Sequence, residues 1–177
     1  MTLTEMRNKW LYIFLLILWG GLIYSFSDQP YGEQNLKPVL DGVFSGTIVE
    51  DVLENVSISY AGSVVNVDNN GLEGVLEFFI RKGAHLFVFF VWGFLSYRLC
   101  LQFIKKKGKA VFWGLLFVVL FAALDEWHQM HTGGRTPLIE DVMLDSFGGL
   151  LGILVSLKLV RNGKSSAKKR KNSKIWK

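Results

Sequence analysis

Hydrophobic positions along this chain gather into four long blocks: Trp10–Phe26, Gly83–Ile104, Ala110–Trp127 and Val142–Val160. Each approaches the roughly 20 mainly apolar residues that a helix needs to cross the hydrocarbon of a bilayer. The pattern therefore predicts four transmembrane helices, over approximately 10–26, 83–104, 110–127 and 142–160. The first block follows Arg7 and Lys9 and so has the look of a secretory leader. It is long, however, and no Ala-x-Ala-like cleavage site follows it, so it reads as a retained span.

The stretch between the first two blocks has a different rhythm. In the loop 27–82, Leu36, Val39, Leu40, Val43, Phe44 and Ile48 recur at helical spacing and predict an amphipathic helix. VSISY and SVVNV then alternate around Ala61-Gly62, the pattern of a β-hairpin. Asp68-Asn69-Asn70-Gly71 reads as a turn, and Leu72, Val75, Leu76, Phe79 and Ile80 suit a second amphipathic helix leading into the second span. A two-stranded ribbon is marginal alone, so the hairpin should lean on the bundle or its flanking helices. The fold class is thus an all-α integral membrane protein: a four-helix bundle with a small extracytoplasmic hairpin and amphipathic helices in the first loop. Residues 1–160 form the membrane domain. The tail 161–177, rich in lysine and poor in apolar residues, is expected to be disordered.

Charge fixes an expected orientation. Threading four spans puts both termini on one side. That side collects Arg7, Lys9, the Lys105-Lys106-Lys107-Gly108-Lys109 turn, Lys158, Arg161 and the basic tail, whereas the other has only Lys37, Arg81, Lys82 and Arg135. By the positive-inside rule both termini are cytoplasmic. Every carboxylate except Glu5 lies on the opposite, outer side. The net charge of +5 is then a topology signal that also meets anionic lipid, and no basic groove or fold motif accompanies it to suggest a nucleic-acid partner. Cys100 is the only cysteine, which excludes an internal disulfide or a thiolate metal cage.

Polar chemistry concentrates at one depth. DEWHQMHTGGRTPLIEDVMLD, residues 125–145, sits between two apolar runs, and ionisable groups at a membrane edge are expensive enough to mark a functional site. Asp125 and Gln129 share a helix face, as do Asp141 and Asp145, by four-residue spacing. Lys82 and His85 share a face at the start of the second span. Ser25, Ser27 and Asp28 end the first span at the same level, and Arg135 lies in the last outer loop. Gly148, Gly149 and Gly152 follow Asp145 and would let helices approach closely. Arginine suits bidentate pairing with carboxylates, so internal salt bridging is one reading. The acids outnumber the cations, so a proton, a metal ion or a cationic group is the other. Carboxylates with glutamine suit Mg²⁺ or Ca²⁺ better than Zn²⁺. The sequence has no HExxH motif, and no cofactor is assigned.

FSDQP after the first span, RKGAH at the second, and DEWHQ…GGRTPLIEDVMLDSFGG together resemble the VanZ-like family over roughly residues 10–160. The family's pattern maps onto Lys82, His85, Asp125, Glu126, Gln129, Arg135, Asp141 and Asp145. Gly134 departs from it, standing where a Pro-Gly pair before the arginine is common. The resemblance implies a small bacterial plasma-membrane protein, related to one associated with teicoplanin resistance, whose biochemical mechanism is not established. The residues named are then expected to bind an outer-leaflet envelope component. Membrane lipid, a lipid-linked wall precursor or a glycopeptide are the expected partners. Two alternatives stay open. One is a membrane-embedded hydrolase or transferase with Asp125 or Glu126 as general base, although no nucleophile elbow or zinc motif is present. The other is a transporter subunit, although only Arg98 and Gln102 are polar in the inner half.

Overall fold

A computed structural model of the chain describes residues 3–28, 36–44, 46–131 and 138–173, with side chains over 8–28, 36–40, 42–44, 46–131 and 138–161. In chain order the elements are α1 (Leu3–Ser27), α2 (Lys37–Phe44), α3 (Ile48–Leu53), β1 (Ile58–Tyr60), β2 (Ser63–Val65), α4 (Val67–Phe103), α5 (Lys107–Gln129) and α6 (Ile139–Ser173). Among the described residues, four helices are long and apolar enough to cross a membrane: Asn8–Ser27 and the spans within α4, α5 and α6. They match the four hydrophobic blocks of the sequence. The chain is a membrane protein of four long apolar helices with one small sheet.

The bundle is turned inside out relative to a water-soluble one. Trp10, Phe14, Ile17 and Leu18 of α1 are exposed, as are Phe112, Trp113, Leu120, Leu124 and Trp127 of α5 and Phe147 and Leu154 of α6. Exposed apolar area on this scale is a lipid-facing surface. Trp10 and Trp127 stand at opposite ends of the bundle, as interfacial aromatics do. The interior mixes large and small groups. Phe89, Tyr97, Val118, Ala122 and Ile153 are fully buried, with Ser156 among them.

Helix α4 packs most extensively against α6, and glycine makes that possible. A methyl carbon added at Gly152 would stand 1.9 Å from the Phe90 carbonyl oxygen, and one at Gly93 would stand 2.1 Å from the Gly149 oxygen. The two backbones are in direct contact, the approach that small residues permit between helices in lipid. Helix α1 leans on α4 through the Trp19 indole N–H, which donates to the Val88 carbonyl at 2.9 Å. It lies over Trp92, whose ring stacks on Phe121 of α5 with centroids 3.9 Å apart. At the lysine-rich end the chain leaves helix only between Phe103 and Lys107, so α4 and α5 are antiparallel neighbours. Arg98 is tied into the bundle there: its Nε donates to the buried Ser156 hydroxyl at 3.0 Å.

The hairpin forms where the alternation placed it. β1 and β2 pair antiparallel in the register Ile58↔Val65, Ser59↔Val64 and Tyr60↔Ser63. Ala61 and Gly62 both have positive φ, 49° and 77°, which makes a two-residue type I′ turn matching the twist of the strands. Val65 is buried against the bundle, and β2 rests on α4. The first amphipathic segment breaks into α2 and α3 around Gly46, whose φ is 73°.

Two boundaries differ from expectation. The segment from Leu72 is not a separate interfacial helix. It runs on without a break into the second span, so α4 begins at Val67, with Gly71 (φ 71°, ψ 163°) as a non-helical joint after one capped turn. The Asn66 side chain caps that turn by accepting from the Asn69 amide. Helix α6 is described as far as Ser173, within the segment 161–177 read from the sequence as a basic tail. Gly108 aside, residues 105–109 carry only lysine, and α5 already starts at Lys107, three residues before the apolar block.

Candidate functional site

The end of the bundle that carries the hairpin also holds the carboxylates. Helices α4, α5 and α6 and the hairpin line a cleft of about 510 Å³ there. Tyr60, Ala61 and Ser63 of the hairpin form one wall, Phe78, Arg81, Lys82 and His85 of α4 another, and Glu126, Gln129, Leu138 and Asp141 the rest. Strand alternation explains the hairpin's part: Tyr60 and Ser63 are a cross-strand pair on one face, while Ser59 and Val64 point the other way.

Lys82 reaches across from α4 to α6 and donates to Asp141 Oδ1. The Tyr60 hydroxyl donates to the same oxygen. The ammonium also lies over two rings, 4.6 Å from the Tyr60 centroid and 5.7 Å from that of Phe78. These rings stand edge to face, 5.3 Å apart. Lys82 is thus held by a carboxylate and a two-ring wall, an arrangement that stabilises a cation through the ring quadrupoles as well as by pairing. Burial and the Asp141 hydrogen bond, with Asp145 and Glu140 adding their fields, push the Tyr60 phenol well above its ordinary range. It is a hydrogen-bond donor at any physiological pH.

One helical turn deeper, His85 Nδ1 and Asp145 Oδ2 approach to 3.4 Å, again linking α4 to α6. Asp145 is buried, and its Oδ1 has no hydrogen-bond partner. Beside them a third group comes from α1 and α5. The Ser27 hydroxyl donates to Asp125 Oδ1 at 2.7 Å, and the Gln129 amide donates to Asp125 Oδ2 at 2.9 Å and to Ser27 Oγ at 3.2 Å. The four-residue spacing of Asp125 and Gln129 on α5 makes that closure local, and Ser27 brings the end of α1 into it. His85, Asp125 and Asp145 each offer one ligand-capable atom, all within 4.8 Å of one another.

Glu126 has a separate task. Its Oε1 accepts the Leu138 amide at 2.7 Å, tying the chain that enters α6 to the end of α5. Of the residues named from the sequence, Lys82, His85, Asp125, Glu126, Gln129, Asp141 and Asp145 all meet at this end. They divide into a Lys82–Asp141 pair under the hairpin, a deeper His85–Asp145–Asp125 group with Gln129, and the Glu126 tie. Arg135 lies outside the described residues.

Two participants were not expected. Tyr60 belongs to a hairpin that had been given no role, and only its position on the inward face of β1 marks it. Glu77 is buried on α4 and accepts from Arg81 at 2.6 Å, so Arg81 is turned towards a carboxylate one turn back on its own helix. The i, i+4 spacing of Glu77 and Arg81 is the signal that finds this pair. His128, adjacent in sequence to the acidic cluster, stacks on Tyr24 of α1 with centroids 4.4 Å apart and takes no part in the cleft.

A family model described as VanZ/LLP1 matches residues 12–161. The chain belongs to the VanZ/LLP1 family. The match runs from α1 to the end of the apolar part of α6, so it takes in all four long helices, the hairpin and every side chain that lines the cleft. Neither a curated protein nor a solved structure matches the chain. Membership of the VanZ/LLP1 family does not by itself name a ligand or a reaction.

Proposed function

We propose that the hairpin end faces the exterior of a bacterial plasma membrane, with both termini cytoplasmic, and that the cleft binds the polar headgroup of an outer-leaflet envelope component. Through that binding the protein contributes to resistance against teicoplanin-type glycopeptides. The observation that carries the reading is the cleft itself. It is lined by Lys82 and Arg81, which could exchange their present partners Asp141 and Glu77 for a phosphate or carboxylate, and by Glu126 and Asp141, which could take ammonium groups. A lipid-linked wall precursor carries charges of both signs for it, and its tail would lie along the exposed apolar faces of the helices. The excess of lysine and arginine at the opposite end supports the orientation.

The test compares susceptibility to teicoplanin and vancomycin in cells that carry wild type, Lys82→Met, Arg135→Ala and Asp141→Asn at equal membrane levels. Loss of protection in the variants supports the reading. Wild-type protection in all three would overturn it. Binding of a lipid-linked wall precursor to the protein in nanodiscs, weakened about tenfold by Lys82→Met, is the direct measurement; a tenfold loss corresponds to about 1.4 kcal/mol.

A further inference from the structure

We propose that His85, Asp125 and Asp145 form a binding site for one divalent cation of the Zn²⁺ type. The three side chains come from α4, α5 and α6, and each contributes one ligand-capable atom to a group no wider than 4.8 Å. The contact between His85 Nδ1 and Asp145 Oδ2 is 3.4 Å, long for a hydrogen bond between an imidazole and a carboxylate. It is the spacing of two ligands on one ion: atoms about 2.1 Å from a tetrahedral centre stand about 3.4 Å apart.

A second observation points to a ligand independently. Asp145 has a side-chain exposure of 2%, yet its Oδ1 accepts no hydrogen bond. A buried carboxylate oxygen left unpaired is costly, and native structures rarely tolerate one without a reason. A cation that takes both oxygens of the Asp145 carboxylate would be a sufficient reason.

Charge balance points the same way. Among the described residues no lysine or arginine pairs with Asp125 or Asp145, because Lys82 is taken by Asp141 and Arg81 by Glu77. A single imidazolium balances only one of the two carboxylates, so the other needs a proton or a further positive charge. A divalent ion with a neutral imidazole cancels both negative charges. The mixed nitrogen and oxygen set favours a borderline cation over Mg²⁺ or Ca²⁺, which prefer oxygen alone. Ser27 and Gln129 supply the outer support. Both donate to Asp125 and hold its carboxylate in place, as the partners of metal-ligating groups do.

The site stands on these three residues and not on what occupies the cleft above them. It is therefore tested without any headgroup or antibiotic present. The full-length protein in nanodiscs is stripped with chelator, reloaded with ZnCl₂ and dialysed, and metal is counted per chain by mass spectrometry. Wild type should retain one Zn²⁺. His85→Ala and Asp145→Asn should each bind at least tenfold more weakly. Asp141→Asn removes the same charge at the same end but outside the trio, and should bind as wild type does. Equal retention by Asp145→Asn and wild type, or loss in Asp141→Asn equal to that in Asp145→Asn, would overturn the assignment. Because a variant that misfolds also loses metal, a measurement on wild type alone stands beside them. Co²⁺ loading should give visible d–d absorption that Zn²⁺ displaces and Ca²⁺ does not, and a protein showing no such bands has no such site.

Discussion

Replacing Gly152 by alanine adds one methyl group to α6, and the structure sets what that does. The new carbon would lie 1.9 Å from the Phe90 oxygen, 2.8 Å from the Phe90 carbonyl carbon and 2.9 Å from the Phe94 nitrogen. All three are backbone atoms of α4, so no rotamer change relieves the overlap. The two helices must separate by about 1.5 Å to reach ordinary contact, more than a packed interface absorbs. Gly93 and Gly148 sit on the same seam, each with a backbone oxygen where a methyl would go. Separation at Gly152 therefore loosens the contact along its whole length. Overpacking ordinarily costs about 1–3 kcal/mol, and backbone on both sides puts this case at about 3 kcal/mol. The control is Gly21→Ala on α1, where an added methyl meets nothing within 4 Å. Helix propensity should leave that variant neutral or stabilised by up to about 1 kcal/mol. Unfolding in mixed micelles, followed by circular dichroism, compares the two. If Gly152→Ala were as stable as Gly21→Ala, the close crossing of α4 and α6 would be wrong.

Ser27→Ala should cost about 1–3 kcal/mol, because it removes a donor from buried Asp125, and Ser27→Thr should restore most of it; unfolding midpoints in the same micelles check both. Ala61→Asn should stabilise the protein by up to about 1 kcal/mol, since asparagine tolerates the positive φ that alanine adopts here, and hydrogen exchange of the β1 and β2 amides reads it. The Tyr60 phenol is held protonated in the folded state, so its contribution is complete below its unfolded pKa of about 10 and is lost as pH rises above that towards the higher folded value. The stability difference between wild type and Tyr60→Phe should be constant from neutral pH to about 9 and shrink beyond it. With Cys100 replaced by serine, a cysteine at Ala61 should react with a membrane-impermeant maleimide in intact cells while one at Ser165 should not; the reverse would invert the proposed orientation.

The four spans were legible because lipid imposes its demand on every turn of a helix, and long apolar blocks have few other uses. Their ends were less so. Leu72 to Ile80 carries an amphipathic stripe that fits an interfacial helix as well as the first turns of a span, so the pattern alone does not decide for one continuous α4. The depth of the polar cluster could also be read, since Lys82, His85, Asp125, Asp141 and Asp145 each sit at the end of an apolar block. The partners could not. Whether Lys82 meets Asp141 or Asp145 depends on how far α4 is rotated about its axis against α6, and that rotation is set by Gly93, Gly148, Gly149 and Gly152 rather than by the charges. Tyr60 escaped notice because a hairpin of six paired residues gives no hint from its sequence of which neighbour it will cover. Glu126 reads as a free acid in sequence and becomes the tie to Leu138 only once α5 and α6 are side by side.

Below the cleft, Phe89, Trp92, Tyr97, Val118 and Ile153 are buried and fill the middle of the described bundle. The cleft is in this arrangement a cul-de-sac and not a corridor. On the proposed reading, whatever settles under the hairpin would depart by the door it came in.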